Sequence, residues 1–254
     1  MIYNNLPRRK IISSPFPKKE IISHGIIGFC KKNNKFLMIK PRFTTSLKYV
    51  IFGAYRIVYL LELLQNMTKC EIDDIQSIIK NVDTKKYNDI YFNITGSSVK
   101  NWYGYFRLIE SSNDILDYNN NLNLLEPPYE FPKGKSKHKE DSINTATREF
   151  HEEVGHKLVG NINSCSVDHY VKGLSGRNYK IKYWICELSN EINLNDVNNI
   201  ENVEIKKREW IDLNFSNLSE KFPTVITSCG EKVKITSETL ELIIKSKNII
   251  YNLK

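Results

Sequence analysis

Glu149, Glu152 and Glu153 set three carboxylates at i, i+3 and i+4. On a helix that spacing puts them on one face. Like charges so placed destabilise a bare helix by about 0.2–0.5 kcal/mol per pair. A solvated helix therefore has little reason to gather them. A hard divalent cation supplies the reason, because Mg²⁺ takes oxygen ligands and commonly combines carboxylates with substrate phosphates. The loop just upstream, Lys133-Gly134-Lys135-Ser136-Lys137-His138-Lys139, is densely basic. A basic loop beside a carboxylate-held metal suits a polyphosphate substrate.

A helix must carry these groups, and the sequence supplies one. Ile143, Ala146, Phe150 and Val154 recur at three- and four-residue steps and make an apolar stripe beside the acidic face. Asp141 or Ser142 can cap its start, where Glu140 and Asp141 also suit the dipole. Gly155 stands where a left-handed C-terminal glycine is expected.

Around that helix the chain reads as a mixed α/β protein. GIIGFCKK (25–32) and KFLMIKPR (35–42), joined by Asn33-Asn34, predict a hairpin. Residues 129–132 predict a short strand leading to the acidic helix. Cys165 to Lys172 and Tyr179 to Leu188 predict two more strands with a turn over Gly173 to Arg177, and Glu204 to Leu213 a further one. Ser237 to Leu253 predicts a C-terminal helix capped by Ser237. Residues 43–127 interrupt this plan. Leu47 to Gln65 and Ile72 to Asn81 look helical, while the aromatic run Asn101 to Glu110 fits strand or helix. So long a stretch cannot be a structureless loop, and it is read as a mostly helical inserted subdomain.

The net charge of +8 is concentrated at one end: residues 1–42 hold ten Lys/Arg against one Asp/Glu. Arg8, Arg9, Lys10, Lys18 and Lys19 form a basic arm over residues 1–22 that can follow a phosphate backbone. Five widely spaced cysteines without a C-x-x-C pair argue for reduced thiols in an intracellular protein. No apolar leader is visible at the N-terminus. The sixteen-residue apolar run Tyr49 to Leu64 contains Arg56 and Glu62 and falls short of the roughly 20 residues that span a bilayer. A cytoplasmic location is expected.

Gly134, Glu140, Arg148, Glu149, Glu152, Glu153 and Gly155, with Phe150 between them, match the Nudix box G-x5-E-x7-R-E-U-x-E-E-x-G-U at every fixed position but the last, where His156 replaces a bulky apolar residue. At typical residue usage, seven such identities coincide at a given start with probability on the order of 10⁻⁸. The chain thus resembles the Nudix hydrolases. The resemblance implies an αβα sandwich with a mixed sheet, built here from residues 23–42 and 128–254 with 43–127 inserted. It implies hydrolysis of a nucleoside diphosphate linked to another group, with Mg²⁺ or Mn²⁺ as cofactor. By the same resemblance Glu149, Glu152 and Glu153 are metal ligands and catalytic, and Glu140 is a further ligand or a support for one. Arg148 orients a glutamate, and Gly134 lets the backbone approach a metal.

A finer likeness lies outside the box. Glu204-Ile205-Lys206-Lys207-Arg208-Glu209-Trp210 resembles the E-I-x-x-x-E-W segment of mRNA-decapping Nudix enzymes, which implies a base or metal-contacting role for Glu204. Pro132-Lys133-Gly134-Lys135 resembles the P-K-G-K of decapping enzymes and of diphosphoinositol and dinucleoside polyphosphate hydrolases. The layout is similar to Nudix proteins of African swine fever virus and of giant viruses such as mimivirus. That likeness implies cleavage of capped mRNA to 7-methyl-GDP and 5′-monophosphate RNA, with mRNA turnover and host shutoff as the outcome. It places the protein in the host cytoplasm or the virion. Capped RNA would engage the arm, Lys133 and Lys135 through phosphates. Trp102, Tyr103, Tyr105 and Phe106 would offer faces for the cationic methylated base. Two other readings stand beside it. One is hydrolysis of diphosphoinositol or dinucleoside polyphosphates, and the other is a non-catalytic RNA-binding protein on the same frame.

Overall fold

The computed structural model describes residues 20–119, 124–172, 178–188, 192–198, 202–216 and 220–252. Arg8, Arg9, Lys10, Lys18 and Lys19, and the turn expected over 173–177, lie outside the described residues.

Strands β1 (Ile21–Cys30) and β2 (Lys35–Pro41) are apolar runs buried on both faces, as befits the middle of a covered sheet. Residues alternate between the faces: Ile26, Cys30, Leu37 and Ile39 join one apolar cluster, and Ile27, Phe29, Phe36 and Met38 another. The segment after Tyr129 forms isolated bridges to Ile39 and Ile235. It then becomes β3 (Lys133–Lys135), which pairs with β1 over Ser23–Gly25, while β2 pairs with β1 over Gly28–Cys30.

Helix α7 (Ser142–Val154) covers the first cluster. Next come β4 (Gly160–Lys172), β5 (Asn178–Leu188), the short α8 (Leu194–Asn198) and β6 (Ile205–Ser216). A second hairpin, β7 (Thr224–Thr227) and β8 (Lys232–Lys234), precedes α9 (Ser237–Asn252), which covers the opposite face. The sheet runs β4-β5-β1-β2-β6-β7-β8, with β1 parallel to β5 and the other pairs antiparallel. The fold class is therefore α/β: a mixed sheet between helices. The cap of α9 is Thr236, whose Oγ1 accepts the Thr239 N–H at 3.1 Å, and not Ser237.

Among the described residues, six α-helices lie between β2 and β3: α1 (Thr45–Phe52), α2 (Leu60–Gln65), α3 (Lys69–Asn81), α4 (Thr84–Thr95), α5 (Trp102–Glu110) and α6 (Ser112–Leu116). They share an apolar cluster of their own, centred on Val50, Ile51, Leu63, Ile75, Ile78 and Leu108. The single helix expected over Leu47–Gln65 is two, because Gly53 adopts φ 66° and ends α1. The aromatic run at 101–110 is helix, started by the Asn101 side chain accepting from the Gly104 N–H. Among the described residues, no helix is long and apolar enough to cross a membrane.

Candidate active site

Helix α7 begins at Asp141, whose carboxylate accepts the Asn144 N–H at 2.8 Å, and ends at Gly155 with φ 78°. Ala146, Phe150 and Val154 are fully buried against the sheet. Ile143 departs from the expected stripe, at 39% exposed. The first turn faces the preceding loop instead. There Thr145 is buried, bonding Ser136 Oγ at 2.9 Å and Glu140 Oε2 at 3.1 Å.

On the other side of α7, Arg148 organises the acidic face. Its Nε and Nη2 donate to the two oxygens of Glu140, each at 2.9 Å. Its Nη1 reaches Glu149 at 2.7 Å and Glu152 at 2.9 Å, and Nη2 also donates to the Lys135 carbonyl at 2.9 Å. Bidentate pairing of this kind adds geometric specificity to charge. Glu140, expected as a further ligand or a support for one, takes the supporting place in this arrangement. Both of that residue's oxygens are engaged by Arg148, with the Lys137 N–H and Thr145 Oγ1 adding to Oε2. These bonds, Arg148 foremost, hold its carboxyl at about 2. Glu140 is a support for Arg148.

Glu149 and Glu153 behave in the opposite way. Burial raises the Glu149 carboxyl, and the charges of Glu152 and Glu204 add to the rise against Arg148. Burial also pushes Glu153 up to about 8, with Glu130 and Glu149 adding and Lys133 opposing. Glu153 accepts the Lys133 N–H at 2.8 Å. A cation among such groups inverts that logic. Gly134 shows how tightly the site is built: a Cβ there would fall 2.0–2.3 Å from the Glu149 carboxyl group. A side chain there would push the Glu149 carboxylate off its present place.

Glu204 stands at the start of β6, 58% exposed, with Lys48 of α1 at 3.6 Å. Its influence on Glu149 puts it in the same electrostatic neighbourhood. Two residues that sequence reasoning missed hold it there. Asn202 accepts the N–H groups of Glu204 (2.7 Å) and Ile205 (2.8 Å), and its amide donates to the Glu152 carbonyl at 2.8 Å. Arg208, 1% exposed, donates from Nε to the Glu153 carbonyl at 2.9 Å, where a cation complements the helix C-terminus. Neither link spans a short sequence distance, so no local motif announces it.

Other expected contacts are placed differently. The Lys133 ammonium pairs with Glu130 at 2.6 Å instead of lying open for a phosphate. Strand alternation turns it to the face opposite Gly134. There burial opposes its charge, but Glu130, Tyr183 and Glu153 hold its pKa high. Lys135 is exposed. Helix period divides the aromatic run: Trp102, Tyr103 and Phe106 are 48–65% exposed, whereas Tyr105 is 5% exposed and packs edge-on to Tyr87. Tyr105 is core and offers no stacking face.

The donor set fits a divalent cation. Glu149, Glu152 and Glu153 offer hard carboxylate oxygens on one helical face, and the Gly134 cradle keeps the Glu149 side chain beside β3. As the side chains stand, no three acidic, histidine or cysteine groups among the described residues converge on one point. Arg148 occupies the space between Glu140, Glu149 and Glu152 instead.

No family model matches the chain, and no curated protein matches it. Solved structures similar to the chain include the following three. A Nudix hydrolase from Nitrosomonas europaea is 9% identical with a TM-score of 0.36, covering 77% of this chain and 74% of its own. A MutT/nudix family protein from Enterococcus faecalis is 12% identical with a TM-score of 0.45, covering 94% of this chain. This chain spans 65% of the length of that protein. The Ap4A hydrolase of C. elegans is 10% identical with a TM-score of 0.39, covering 92% of this chain and 99% of its own.

Proposed function

We propose that the chain is a Nudix-type pyrophosphohydrolase whose substrate is the 5′ cap of RNA, cleaved to 7-methyl-GDP and 5′-monophosphate RNA. The observation that carries the reading is the acidic face of α7, with Glu149 seated against Gly134 and Glu153 held by the Lys133 N–H. Residues 23–42 and 128–254 are the hydrolase frame, residues 43–127 an insertion into it, and residues 1–22 an arm that follows the RNA backbone.

Glu149, Glu152 and Glu153 would hold Mg²⁺ or Mn²⁺, which when bound polarises the phosphoanhydride and acidifies water. The chain's own groups do the positioning. Arg148 fixes the rotamers of Glu149 and Glu152 while Glu140 fixes Arg148. Asn202 ties the loop of Glu204 to the last turn of α7. Glu204 takes the proton from the attacking water as its oxygen bonds to phosphorus and the bridging oxygen departs with the leaving phosphate.

Cap-labelled RNA with Mg²⁺ or Mn²⁺ tests this: 7-methyl-GDP should appear, and Glu152→Gln should stop it. A Glu152→Gln protein with undiminished release overturns the assignment. Inhibition by uncapped RNA but not by free cap dinucleotide marks RNA as the substrate. Faster turnover of a diphosphoinositol or dinucleoside polyphosphate marks a small-molecule hydrolase instead.

A further inference from the structure

We infer that Arg42 is a positioning residue for Glu204, and that through it the helices between β2 and β3 help to place the proton acceptor. This rests on the hydrolase reading above, in which Glu204 takes the proton, and names what holds that residue from the side away from α7.

The pairing of β2 with β6 slips at Lys40/Pro41, where Lys40 faces Lys207 and Pro41 faces Ile205. Just beyond the slip, the Arg42 N–H donates to the Glu204 carbonyl at 2.8 Å. The Arg42 side chain donates from Nε to the Asn202 carbonyl, also at 2.8 Å. One residue thus grips the 202–204 turn at both ends. Val203 is 55% exposed and Glu204 58%, so hydrogen bonds and not packing fix this turn. Asn202 carries the grip onward, because its amide donates to the Glu152 carbonyl at 2.8 Å.

Arg42 is anchored in its turn by the helical region. Two residues further on, Thr44 caps α1 by accepting the Leu47 N–H at 3.1 Å. Glu71 of α3 accepts both the Thr44 N–H at 2.7 Å and the Thr44 hydroxyl at 2.9 Å. Lys48, in the first turn of α1, reaches the Glu204 carboxylate itself at 3.6 Å. A pair so exposed stabilises little, but it is a second link from α1 to the same residue. A continuous chain of bonds therefore runs from α3 through Thr44 and Arg42 to Asn202 and the last turn of α7. The Arg42 bond to the turn is made by Nε, so an uncharged donor at the same reach can replace it.

Steady-state kinetics on capped RNA test the placement. Arg42→Ala should lower kcat about tenfold through misplacement of one group, with KM unchanged. Arg42→Gln should recover most of that loss, because its amide nitrogen lies as many bonds from Cα as Nε does. In a Glu204→Gln background, Arg42→Ala should cost less than about twofold, since the group it positions is already gone. An equal cost in both backgrounds, a rise in KM with kcat unchanged, or no recovery in Arg42→Gln overturns the positioning role and keeps the base. Amide hydrogen exchange at Glu204 and Ile205 reads the same link without turnover. Arg42→Ala should speed it several-fold, and unchanged exchange overturns the grip whatever the reaction. Glu204→Gln as active as wild type, with exchange still faster in Arg42→Ala, removes the base reading and keeps the grip.

Discussion

Two carboxylates that burial pushes upward meet opposite fates in the two halves of the molecule. In the helical half, Glu71 accepts the Thr44 N–H at 2.7 Å, the Thr44 hydroxyl at 2.9 Å and the Thr68 N–H at 2.8 Å. It closes a capping box with Thr68 and ties the start of α1 to the start of α3. Beside the sheet, Glu153 accepts one hydrogen bond among the described residues and is crowded by Glu130 and Glu149. A buried carboxylate with both oxygens answered by hydrogen bonds is structure. One set among like charges, beside a Glu149 that Arg148 alone offsets, is a candidate place for something else to bind.

The sharpest way to break this contrast is Gly134→Ala. The added carbon collides with Glu149, and a displacement on the order of 1 Å at such a site costs about 10²-fold in rate. Turnover of capped RNA should fall by at least that much with circular dichroism unchanged. A variant as active as wild type would mean that Glu149 is not held where the chemistry needs it.

Glu71→Ala should do the converse. It orphans two buried N–H groups, each worth about 1–3 kcal/mol. Denaturant unfolding should therefore show a loss of about 2–6 kcal/mol, with cation binding at α7 intact. Next in size is Asn202→Ala. It severs the Glu204 loop from α7 and should lower kcat about tenfold through misplacement of one group while KM stays put. A rise in KM with kcat unchanged would contradict a positioning role.

A third carboxylate has the smallest effect. Glu126 is held at about 2 by Lys206 first and then by the buried Lys40. Its folded pKa lies below its unfolded one, so its stabilisation is present above about pH 4.5 and fades as pH falls toward about 2. Glu126→Gln should be less stable than wild type at pH 6, with the gap closing through that window. A gap that persists at pH 2 would assign the effect to packing.

Legibility in the sequence followed the range of the interactions. Helix α7, its Asp141 cap and its Gly155 terminus could be read because spacing within one helix fixes which groups share a face. The same periodicity was present but unused at α4, where Tyr87, Ile90, Tyr91 and Ile94 make a stripe behind the Asp83 cap. The β7–β8 hairpin went unseen because its strands are only four and three residues long. Arg208, Asn202 and the Lys133–Glu130 pair had no local signature, since each depends on where the sheet brings distant segments together. The aromatic run at 102–106 announced its content but not its division into Tyr105 inside and Trp102, Tyr103 and Phe106 outside.

The most direct test is Mn²⁺ binding by the full-length protein, followed by electron paramagnetic resonance at neutral pH in the absence of substrate. Free Mn²⁺ signal should be lost on titration into wild type and recovered when Glu149 or Glu153 is changed to Gln, whereas Glu71→Gln, folded, should bind like wild type. Equal binding by all of these proteins, or by none, would contradict the claim that this helical face is a cation site.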